Sequence, residues 1–432
     1  MNALDLLYSA GAVALSPWWA RKPREGWDER FGKLPALPAA PEGRKRLLLH
    51  AVSVGEVNAV RELVPMLTAH MDVVIAASTD TGLRRAMELY SGSQHVVRYP
   101  LDFSWCVARF LDAVRPDAAA MVELELWPNF VKACSSRGIP VAVVNGRLSE
   151  RSFRGYRRIR AGIGPTFSRL AFAAVQDESY AERFRAMGVP AERVTVTDTM
   201  KWDAAVISDA VPGADELADS LGIDRSRPLI VAGSTAEDEE AMLHAACPPG
   251  VQLLCAPRKP EHFDEAAAAL PGCTRRSVVK AAGHRSAGRT PTGLGSTRAA
   301  DRFLLDTIGE LRAAYSLADI AVIGRSFGTL YGSDPVEPIA LGKPTIIGPA
   351  HRDFQTTVDA LRRDEAIVIA NPGELHAVLR NLLRDPDARR RLSERGRVCI
   401  RRHQGATARH AKLLQALLEN TFDTRGSAAP GL

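Results

Sequence analysis

The sequence predicts an α/β fold of two successive doubly wound halves, each a parallel sheet covered by helices on both faces. The chain has 432 residues, enough for two or three domains. Short apolar runs alternate with helix-like segments in two separate series, and that alternation is typical of parallel sheets. A stretch containing Asp, Gly and Pro, around residues 204–226, separates the two series. We therefore expect a ligand-binding cleft between the carboxyl ends of the two sets of strands.

Short apolar runs mark the predicted strands. In the first half they are 47–52, 73–79, 118–124, 140–146 and 171–177. In the second half they are 228–235, 251–257, 302–306, 320–324, 344–348 and 365–370. Residues 281–300, rich in Gly, Ser, Thr and Arg, predict a surface insertion. The resulting domain boundaries are an N-terminal membrane-associated helix over 1–25, a first domain over 26–205, a linker over 206–226 and a second domain over 227–432.

The N-terminal segment 3–20 is mainly apolar and ends in two tryptophans. Three cations follow it, Arg21, Lys22 and Arg24, whereas a secretory signal carries its positive charge before the apolar run. The positive-inside tendency then keeps the rest of the chain on the cytoplasmic side. Three interpretations stay open, namely a membrane span, an interfacial helix anchored by tryptophan and a helix packed on the protein itself.

Composition and absent motifs exclude several classes of protein. A net charge of +6 favours anionic partners, although a solvated surface with a slight basic bias is an equal alternative. The six cysteines form no C-x-x-C pair, which predicts buried thiols and no metal site. The sequence lacks a G-x-x-x-x-G-K-[ST] loop and a G-x-G-x-x-G fingerprint, which disfavours an ATPase and a dehydrogenase. It also lacks nucleic-acid-binding motifs.

Glu56 is the first candidate catalytic residue. The turn Ser53-Val54-Gly55 joins the run 47–52 to a segment with helical spacing, so Glu56 falls at a helix N-terminus facing the predicted cleft. The helix dipole favours an ionised carboxylate there, and such a carboxylate can take a proton from an attacking hydroxyl. An ordinary acidic residue in a first helical turn explains the pattern equally well.

Glu123 and Glu125 end another predicted strand. Their two-residue spacing places both side chains on one side if the strand continues. Charges at the carboxyl end of a parallel strand favour a functional role, and a helix cap or an ion pair is the alternative.

Two segments of the second half are typical of nucleotide sites. The small-residue turn containing Ser234 precedes a helix and offers backbone N–H groups to an anion, although the acids after it equally fit a plain helix start. The segment 334–338 contains Asp334 and Glu337 and leads into another helix, and a carboxylate that enters a helix beside a nucleotide can accept both hydroxyls of a ribose. The turns at 324–326 and 348–349 flank it.

A basic stretch lies in the first half. Its arginines are Arg147, Arg151, Arg154, Arg157, Arg158 and Arg160, with Phe153 and Tyr156 interleaved. Guanidinium groups match the geometry of phosphate, so lipid phosphate or nucleic acid is a candidate ligand. A solvated helix face explains the pattern equally well.

Taken together, these residues resemble the 3-deoxy-D-manno-octulosonic acid (Kdo) transferase family. The matching stretches, in family order, are HAVSVGE (50–56), ELELWPN (123–129), NGRLSERSFRGY (145–156), AGSTAEDEE (232–240), APRKPEHF (256–263), DTIGEL (306–311), GRSF (324–327) and DPVEPIALGKP (334–344). Each stretch is short, but the combination covers most of the chain.

The resemblance implies a GT-B glycosyltransferase with two Rossmann-like domains and a central cleft. The family inverts the anomeric configuration, uses no metal or other cofactor, and moves Kdo from CMP-Kdo to a lipid A precursor (lipid IVA) at the cytoplasmic face of the inner membrane. By resemblance Glu56 is the general base, Glu123 a second essential carboxylate and Lys201 a group that stabilises the transition state.

The resemblance, together with the turns and the basic stretch described above, assigns the binding residues. The donor residues are Ser234, Pro257, Arg258, Ile308, Gly309, Glu310, Ser326, Asp334, Pro335, Val336 and Glu337. The acceptor residues are Arg147, Arg151 and Arg154. We expect CMP-Kdo, the lipid A precursor and an anionic membrane surface as partners, and no nucleic acid. The enzyme is expected to be peripheral or held by a single N-terminal anchor.

The chain departs from the family pattern at a few positions. Asp198-Thr199 replace a usual Gly-Asn, Ile308 a usual Met, and Ser333-Asp334 a usual His-Asn. Because an aspartate repels a nucleotide phosphate, donor choice depends on what surrounds Asp334. Lys259, in place of a usual His, would offset part of that charge.

Overall fold

The computed structural model describes residues 2–14, 25–285 and 301–419. The chain folds into two compact units, Met1–Ala204 with Gln404–Leu432 and Ala205–His403. It therefore passes from one unit to the other twice, and its C-terminal segment returns to the first unit.

The first unit is built on a seven-stranded parallel sheet. Its strands are β1 (Arg46–His50), β2 (Asp72–Ala77), β3 (His95–Arg98), β4 (Ala118–Val122), β5 (Val141–Gly146), β6 (Phe172–Val175) and β7 (Val194–Val196). They lie in the order β3-β2-β1-β4-β5-β6-β7. Alternate residues of β1 face opposite layers, so Leu48 joins one apolar core while Leu47 and Leu49 join the other. Burial on both faces explains the continuous apolar runs in the sequence.

Helices cover both faces of this sheet. They are α1 (Ala3–Ala14), α2 (Trp27–Arg30), α3 (Val54–Ala59), α4 (Leu63–Thr68), α5 (Asp80–Tyr90), α6 (Ser104–Val114), α7 (Pro128–Ser136), α8 (Glu150–Arg158), α9 (Arg160–Ser168), α10 (Glu178–Met187) and, from the end of the chain, α20 (Ala406–Leu418).

The second unit repeats the design. Its strands are β8 (Leu229–Thr235), β9 (Gln252–Pro257), β10 (Thr274–Arg275), β11 (Arg302–Leu304), β12 (Ile320–Ile323), β13 (Thr345–Ile347) and β14 (Val368–Ile369), in the order β10-β11-β9-β8-β12-β13-β14. Its helices are α11 (Ala214–Leu221), α12 (Glu239–Ala246), α13 (Phe263–Ala269), α14 (Arg276–Arg285), α15 (Leu311–Leu317), α16 (Val336–Ala340), α17 (Gln355–Arg363), α18 (Leu375–Arg384) and α19 (Pro386–His403).

The predicted fold class is confirmed, since every predicted strand overlaps a strand of one of the two parallel sheets. The structure adds three strands that the sequence pattern missed, namely β3, β7 and β10. All three lie at the edge of a sheet, where a strand is short and carries no continuous apolar run.

The domain boundaries differ from the predicted ones at two places. Residues 206–226 were predicted to be a linker, but Ala214, Leu217 and Leu221 of α11 are buried within the second unit. Helix α20 was predicted to belong to the second domain, but Leu414 and Leu417 complete a core of the first unit. Neither difference is visible in local sequence, because an amphipathic helix does not specify the surface that it covers.

The N-terminal helix α1 is tied to the first unit by polar contacts. Asp5 is fully buried and accepts hydrogen bonds from the Ser104 backbone N–H (2.8 Å), the Ser104 hydroxyl (2.5 Å) and Asn129 Nδ2 (3.2 Å). Tyr8 donates to Asp102 Oδ2 at 3.1 Å. Residues 2–14 thus pack on the protein itself, and residues 15–20 of the predicted segment lie outside the described residues. Across the described residues, no helix combines the length and apolarity that a membrane crossing requires.

Candidate active site

The order of the first sheet reverses direction between β1 and β4, and ligands of doubly wound folds bind at such a point. The segments that follow β1, β4 and β5 therefore meet at one edge of the sheet. The Glu123 N–H donates to the Val144 carbonyl at 3.0 Å, and the Arg147 N–H donates to the Glu123 carbonyl at 3.4 Å. At this edge of the sheet the charge of Glu123 acts on the carboxyl group of Glu56.

Glu56 lies in the first turn of α3. Its carboxylate accepts the Val52 N–H at 2.8 Å and the Ser53 hydroxyl at 3.1 Å, while Ser53 caps the helix by accepting the Glu56 N–H. These contacts fix the side chain against the end of β1. The carboxyl group is held in place and remains partly accessible.

The pKa of Glu56 corrects the sequence-based expectation of a readily ionised carboxylate. Burial, reinforced by the charges of Glu123 and Glu125, raises its pKa from 4.5 to about 7. The hydrogen bonds from Val52 and Ser53 oppose this shift but do not cancel it. A carboxylate with a pKa near 7 is suited to general base catalysis at neutral pH.

Glu123 and Glu125 do not lie on a continuing strand. Strand β4 ends at Val122, and Glu123 adopts a left-handed backbone conformation with φ 58°. The alternation argument is therefore wrong for this pair, although both charges still act on Glu56. Burial raises the pKa of Glu125, whose carboxylate accepts a hydrogen bond from Trp127 Nε1 at 3.1 Å.

Lys201 lies in the short 3-10 helix Met200–Trp202, which adjoins the end of β5. The Met200 N–H donates to Asn145 Oδ1 at 3.3 Å, and the Asn145 N–H donates to His410 Nε2 at 2.8 Å. Burial lowers the pKa of His410 to about 4, so this ring is neutral and can accept. Helix α20 thus orders the segment that carries Lys201.

Asp198, one of the departures from the family pattern, is paired with a residue of the same helix. Arg409 Nη2 lies 3.2 Å from Asp198 Oδ2 and also donates to the Thr197 carbonyl at 2.9 Å. The charge of Asp198 is therefore met by a guanidinium.

The second sheet has its own reversal point, between β8 and β12. A cavity of about 620 Å³ lies there, and Thr235, Arg258, Lys259 and Arg325 are among its lining residues. Arg258 directly follows β9, and its N–H donates to the Thr235 carbonyl at 3.0 Å. Pro257 is buried as the last residue of β9, so it supports this turn.

Ser326 does not offer its hydroxyl to a ligand. It is fully buried, donates to the Ile323 carbonyl at 2.6 Å and accepts the Gly348 N–H at 2.7 Å. Both hydrogen-bonding functions of this hydroxyl hold the loops after β12 and β13, and the assignment of Ser326 to donor binding stays a prediction. Ser234 is also buried, with 8% of its surface exposed and a left-handed φ of 56°.

The two other predicted donor segments meet around α15. Glu310 accepts Arg276 Nη2 at 2.7 Å, and this guanidinium lowers the pKa of Glu310. Glu337 lies in the first turn of α16, 3.7 Å from Arg312 of α15, and burial raises its pKa.

The remaining residues of those segments differ in exposure. Ile308 is 75% exposed, and Gly309 beside it has a φ of 94°. Asp334 is exposed and accepts the Val336 N–H at 2.9 Å, while Pro335 and Val336 are buried. Pro335 and Val336 therefore shape the start of α16 and leave Asp334 and Glu337 as its reachable groups.

Comparison with known proteins decides the family. The model of the family described as "3-Deoxy-D-manno-octulosonic-acid transferase (kdotransferase)" matches residues 25–204. A 3-deoxy-D-manno-octulosonic acid transferase of Bordetella pertussis is 31% identical over 436 residues, covering 95% of this chain and 98% of the relative. The chain belongs to the Kdo transferase family. A second transferase of the same description, from Haemophilus influenzae, is 29% identical and covers 92% of each chain.

Solved structures of other members of the fold are similar over most of the chain. A glycosyltransferase of Rickettsia africae is 9% identical with a TM-score of 0.57, covering 88% of this chain and all of that one. Anabaena Alr3699/HepE in complex with UDP is 12% identical with a TM-score of 0.56, covering 86% of this chain and all of that one. This Kdo transferase family member therefore has the two-domain GT-B fold.

The basic residues of this family member form an exposed helix face. Arg151 and Arg154 lie on the outer side of α8, and Arg147 is partly buried before it. Arg154 pairs with Glu150 at 2.9 Å. Phe153 and Tyr156 pack inward against the core of the first unit. The arginines are therefore presented on the outer face of a helix whose inner face packs on that core.

Sequence reasoning missed three residues that organise these sites, namely Arg325, Glu239 and His410. Glu239 had the appearance of one acid in an exposed helical run, yet it is 95% buried (5% exposed) and accepts four backbone N–H groups. His410 lies about 210 residues from its partner Thr197, so no local signal could have connected them. The position of Arg325 next to Gly324 was its one sequence signal.

Proposed function

We propose that this protein transfers Kdo from CMP-Kdo to a lipid A precursor, lipid IVA, with inversion at the anomeric carbon, in lipopolysaccharide core biosynthesis. Its membership of the Kdo transferase family supports the reaction class. The observation that carries the assignment of residues is the Glu56 carboxyl, fixed at the reversal point of the first sheet with a pKa of about 7.

Glu56 would act as the general base. At neutral pH a large fraction of a carboxyl with this pKa is ionised, while its basicity far exceeds that of an ordinary glutamate. It would take the proton from a primary hydroxyl of the acceptor as that oxygen attacks the anomeric carbon of CMP-Kdo and CMP departs. Glu123 and Glu125 contribute through their charges, because they keep the pKa of Glu56 high.

The negative charge that develops on the leaving CMP needs positive partners. We assign this role to Arg258, to Lys201 and to backbone N–H groups, which can stabilise such charge without a metal ion or a cofactor. Glu337 would accept hydroxyls of the ribose. Asp334, which is exposed beside it, would disfavour a phosphate close to that end of the donor.

The acceptor is a phosphorylated, acylated disaccharide, so we place the reaction at the cytoplasmic face of the inner membrane. Arg151 and Arg154 on α8, with Arg147 before it, would bind phosphates of the acceptor or of the anionic membrane surface. The protein would be peripheral or held by its N-terminal segment.

Mass spectrometry of the product made from CMP-Kdo and a tetra-acylated disaccharide tests the proposal. We expect product from the wild type and loss of most activity from Glu56→Gln. Glu192→Gln, an exposed glutamate of the same unit, is the matched control and should keep full activity. A folded Glu56→Gln variant with near-wild-type turnover would contradict the role of Glu56 as base.

The pH profile and nucleotide binding sharpen the test. With Glu56 as base, kcat/KM should fall about tenfold per pH unit below a pKa near 7. A flat profile between pH 5 and 7 would contradict this. Calorimetry should show binding of CMP rather than UDP or GDP. Preference for UDP or GDP would point to another nucleotide sugar, and the absence of product with any donor would point to a non-catalytic binding scaffold.

A further inference from the structure

Two arginines line the cavity at the carboxyl ends of β8, β9 and β12 in the second unit, and only one of them was foreseen. Arg258 comes from the loop after β9 and Arg325 from the loop after β12. Lys259 adds a third positive charge and is 4.0 Å from Glu261. The acids on the wall are Glu237, whose Oε1 lies 3.1 Å from His262 Nε2, and Asp238, besides the buried Glu239.

The backbone of Arg325 is strained and firmly held. Its φ is 58°, in the left-handed region that costs a residue with a Cβ atom conformational free energy. Its N–H donates to Glu239 Oε2 at 2.6 Å, and its carbonyl accepts the Gly332 N–H at 2.8 Å. A strained backbone at a residue that lines a cavity points to a functional role for that residue.

Glu239 is the support of this loop. Its two carboxylate oxygens accept the N–H groups of Arg325, Ser326 (3.0 Å) and Phe327 (3.1 Å), and that of Ala236 at 3.0 Å from its own side of the cavity. Because the carboxylate bridges the loops after β8 and β12, it fixes two walls of the cavity relative to each other.

The side chains of Arg258 and Arg325 form no hydrogen bond or ion pair with any residue that the structure describes. The contacts that hold the loop at Arg325 are made by its backbone N–H and carbonyl, not by its side chain. Two such guanidinium groups in one concave site match the geometry of a carboxylate or a phosphate, which each accept two parallel N–H bonds.

We propose that Arg325 binds an oxyanion of the donor inside this cavity, with Glu239 as its positioning residue. The inference rests on the proposed function, since CMP-Kdo carries two such groups, the carboxylate of the acidic sugar and the phosphate of the nucleotide. With the carboxylate as its ligand, Arg325 would select an acidic nucleotide sugar over a neutral one; with the phosphate as its ligand, it would contribute to affinity for any nucleotide sugar.

Donor binding in a catalytically silent background tests the inference. Calorimetry of Glu56→Gln against Glu56→Gln/Arg325→Ala, with CMP-Kdo and with CMP alone, measures affinity without turnover. Loss of a charged hydrogen-bonding partner should weaken CMP-Kdo binding about 10–100-fold. Unchanged CMP binding would identify the sugar carboxylate as the ligand of Arg325, and an equal loss for CMP would identify the phosphate.

Controls separate binding from folding. Arg380→Ala, an exposed arginine on α18, should leave both affinities within twofold of the background. Arg325→Gly should melt no lower than wild type, because glycine adopts a φ of 58° without strain. Arg325→Lys should restore part of the affinity lost in Arg325→Ala, since it keeps the charge but not the fork.

Glu239→Gln tests the positioning role. It should raise the KM for CMP-Kdo while leaving kcat nearly unchanged, and it should add no further loss when combined with Arg325→Ala. Additive losses, or equal falls in kcat and melting temperature, would show that Glu239 is merely structural.

The two levels of the proposal fail differently. An active wild type whose Arg325→Ala variant keeps its affinity for both ligands overturns this inference alone. A wild type that makes no product and binds neither CMP-Kdo nor CMP overturns the proposed function together with the inference.

Discussion

Replacing Glu56 with glutamine should stabilise the protein at alkaline pH while it removes activity. The pKa of this carboxyl rises from 4.5 to about 7 on folding, chiefly because of burial. Between these two pH values the folded state holds a proton that the unfolded state has lost, so stability falls as pH rises through that window and stays low above it. Glutamine is neutral throughout and therefore escapes this loss.

The shift sets the size of the effect. The full shift corresponds to about 3 kcal/mol above pH 7, at 1.36 kcal/mol per pH unit. The carboxyl is partly exposed, so solvent screening reduces this to about 1–2 kcal/mol. For a unit of this size, each kcal/mol corresponds to about 2–4 °C in melting temperature.

Scanning calorimetry of wild type and Glu56→Gln at pH 5 and pH 8 measures the effect. We expect the variant to melt about 2–8 °C higher at pH 8 and to lose most of that advantage at pH 5. Glu192→Gln supplies the control, since it should follow the wild type at both pH values. A melting difference that is the same at pH 5 and pH 8 would refute the assigned pKa and, with it, the electrostatic reasoning about this cluster.

Three further changes have defined outcomes. His410→Ala leaves the buried Asn145 N–H without its acceptor, so calorimetry should show a loss of about 1–3 kcal/mol in the free energy of unfolding, together with a lower kcat. An unchanged kcat would show that α20 does not order the Lys201 segment. Gly233→Ala would place its Cβ 2.0 Å from the hydroxyl of Tyr315, so urea denaturation should show a loss of about 1–3 kcal/mol, whereas a neutral result would mean that this close approach relaxes freely. The charge reversal Arg151→Glu/Arg158→Glu should weaken binding to anionic vesicles by more than tenfold in co-sedimentation, at about 1 kcal/mol per arginine. Binding to neutral vesicles should not change. If wild type binds anionic and neutral vesicles equally well, α8 does not lie at the membrane surface.

The parallel sheets could be predicted because their central strands are buried on both faces. Such strands must be apolar throughout, and the run 47–52 or 251–257 has no other ready explanation. Edge strands such as β10 escape detection because they are short and only partly buried, so they carry no continuous apolar run. The position of α20 escapes as well, because its apolar stripe records that it is covered and not which unit covers it.

The chemistry of individual side chains was harder to predict from the sequence than the fold was. Glu56 was correctly placed at a helix start, but the helix dipole suggested easy ionisation, whereas burial and two neighbouring carboxylates dominate. Ser326 has a residue type that suits ligand binding, yet it points into the protein. Whether a polar side chain faces solvent or a backbone carbonyl depends on loops that lie far along the chain. Arg325 is the opposite case to Ser326, because its side chain lines the cavity while its backbone holds the loop.

The return of the last helix to the first unit has a consequence for synthesis. Leu414 and Leu417 fill the same core as Leu47 and Leu49, yet about 200 residues are translated between the end of the first segment at Ala204 and the start of that helix. At about 5–20 residues per second, the ribosome needs about 10–40 s for that distance. During this interval the nascent chain displays an uncovered apolar face, so a product terminated before Ala406 would be a substrate for chaperones and proteases instead of a shorter enzyme.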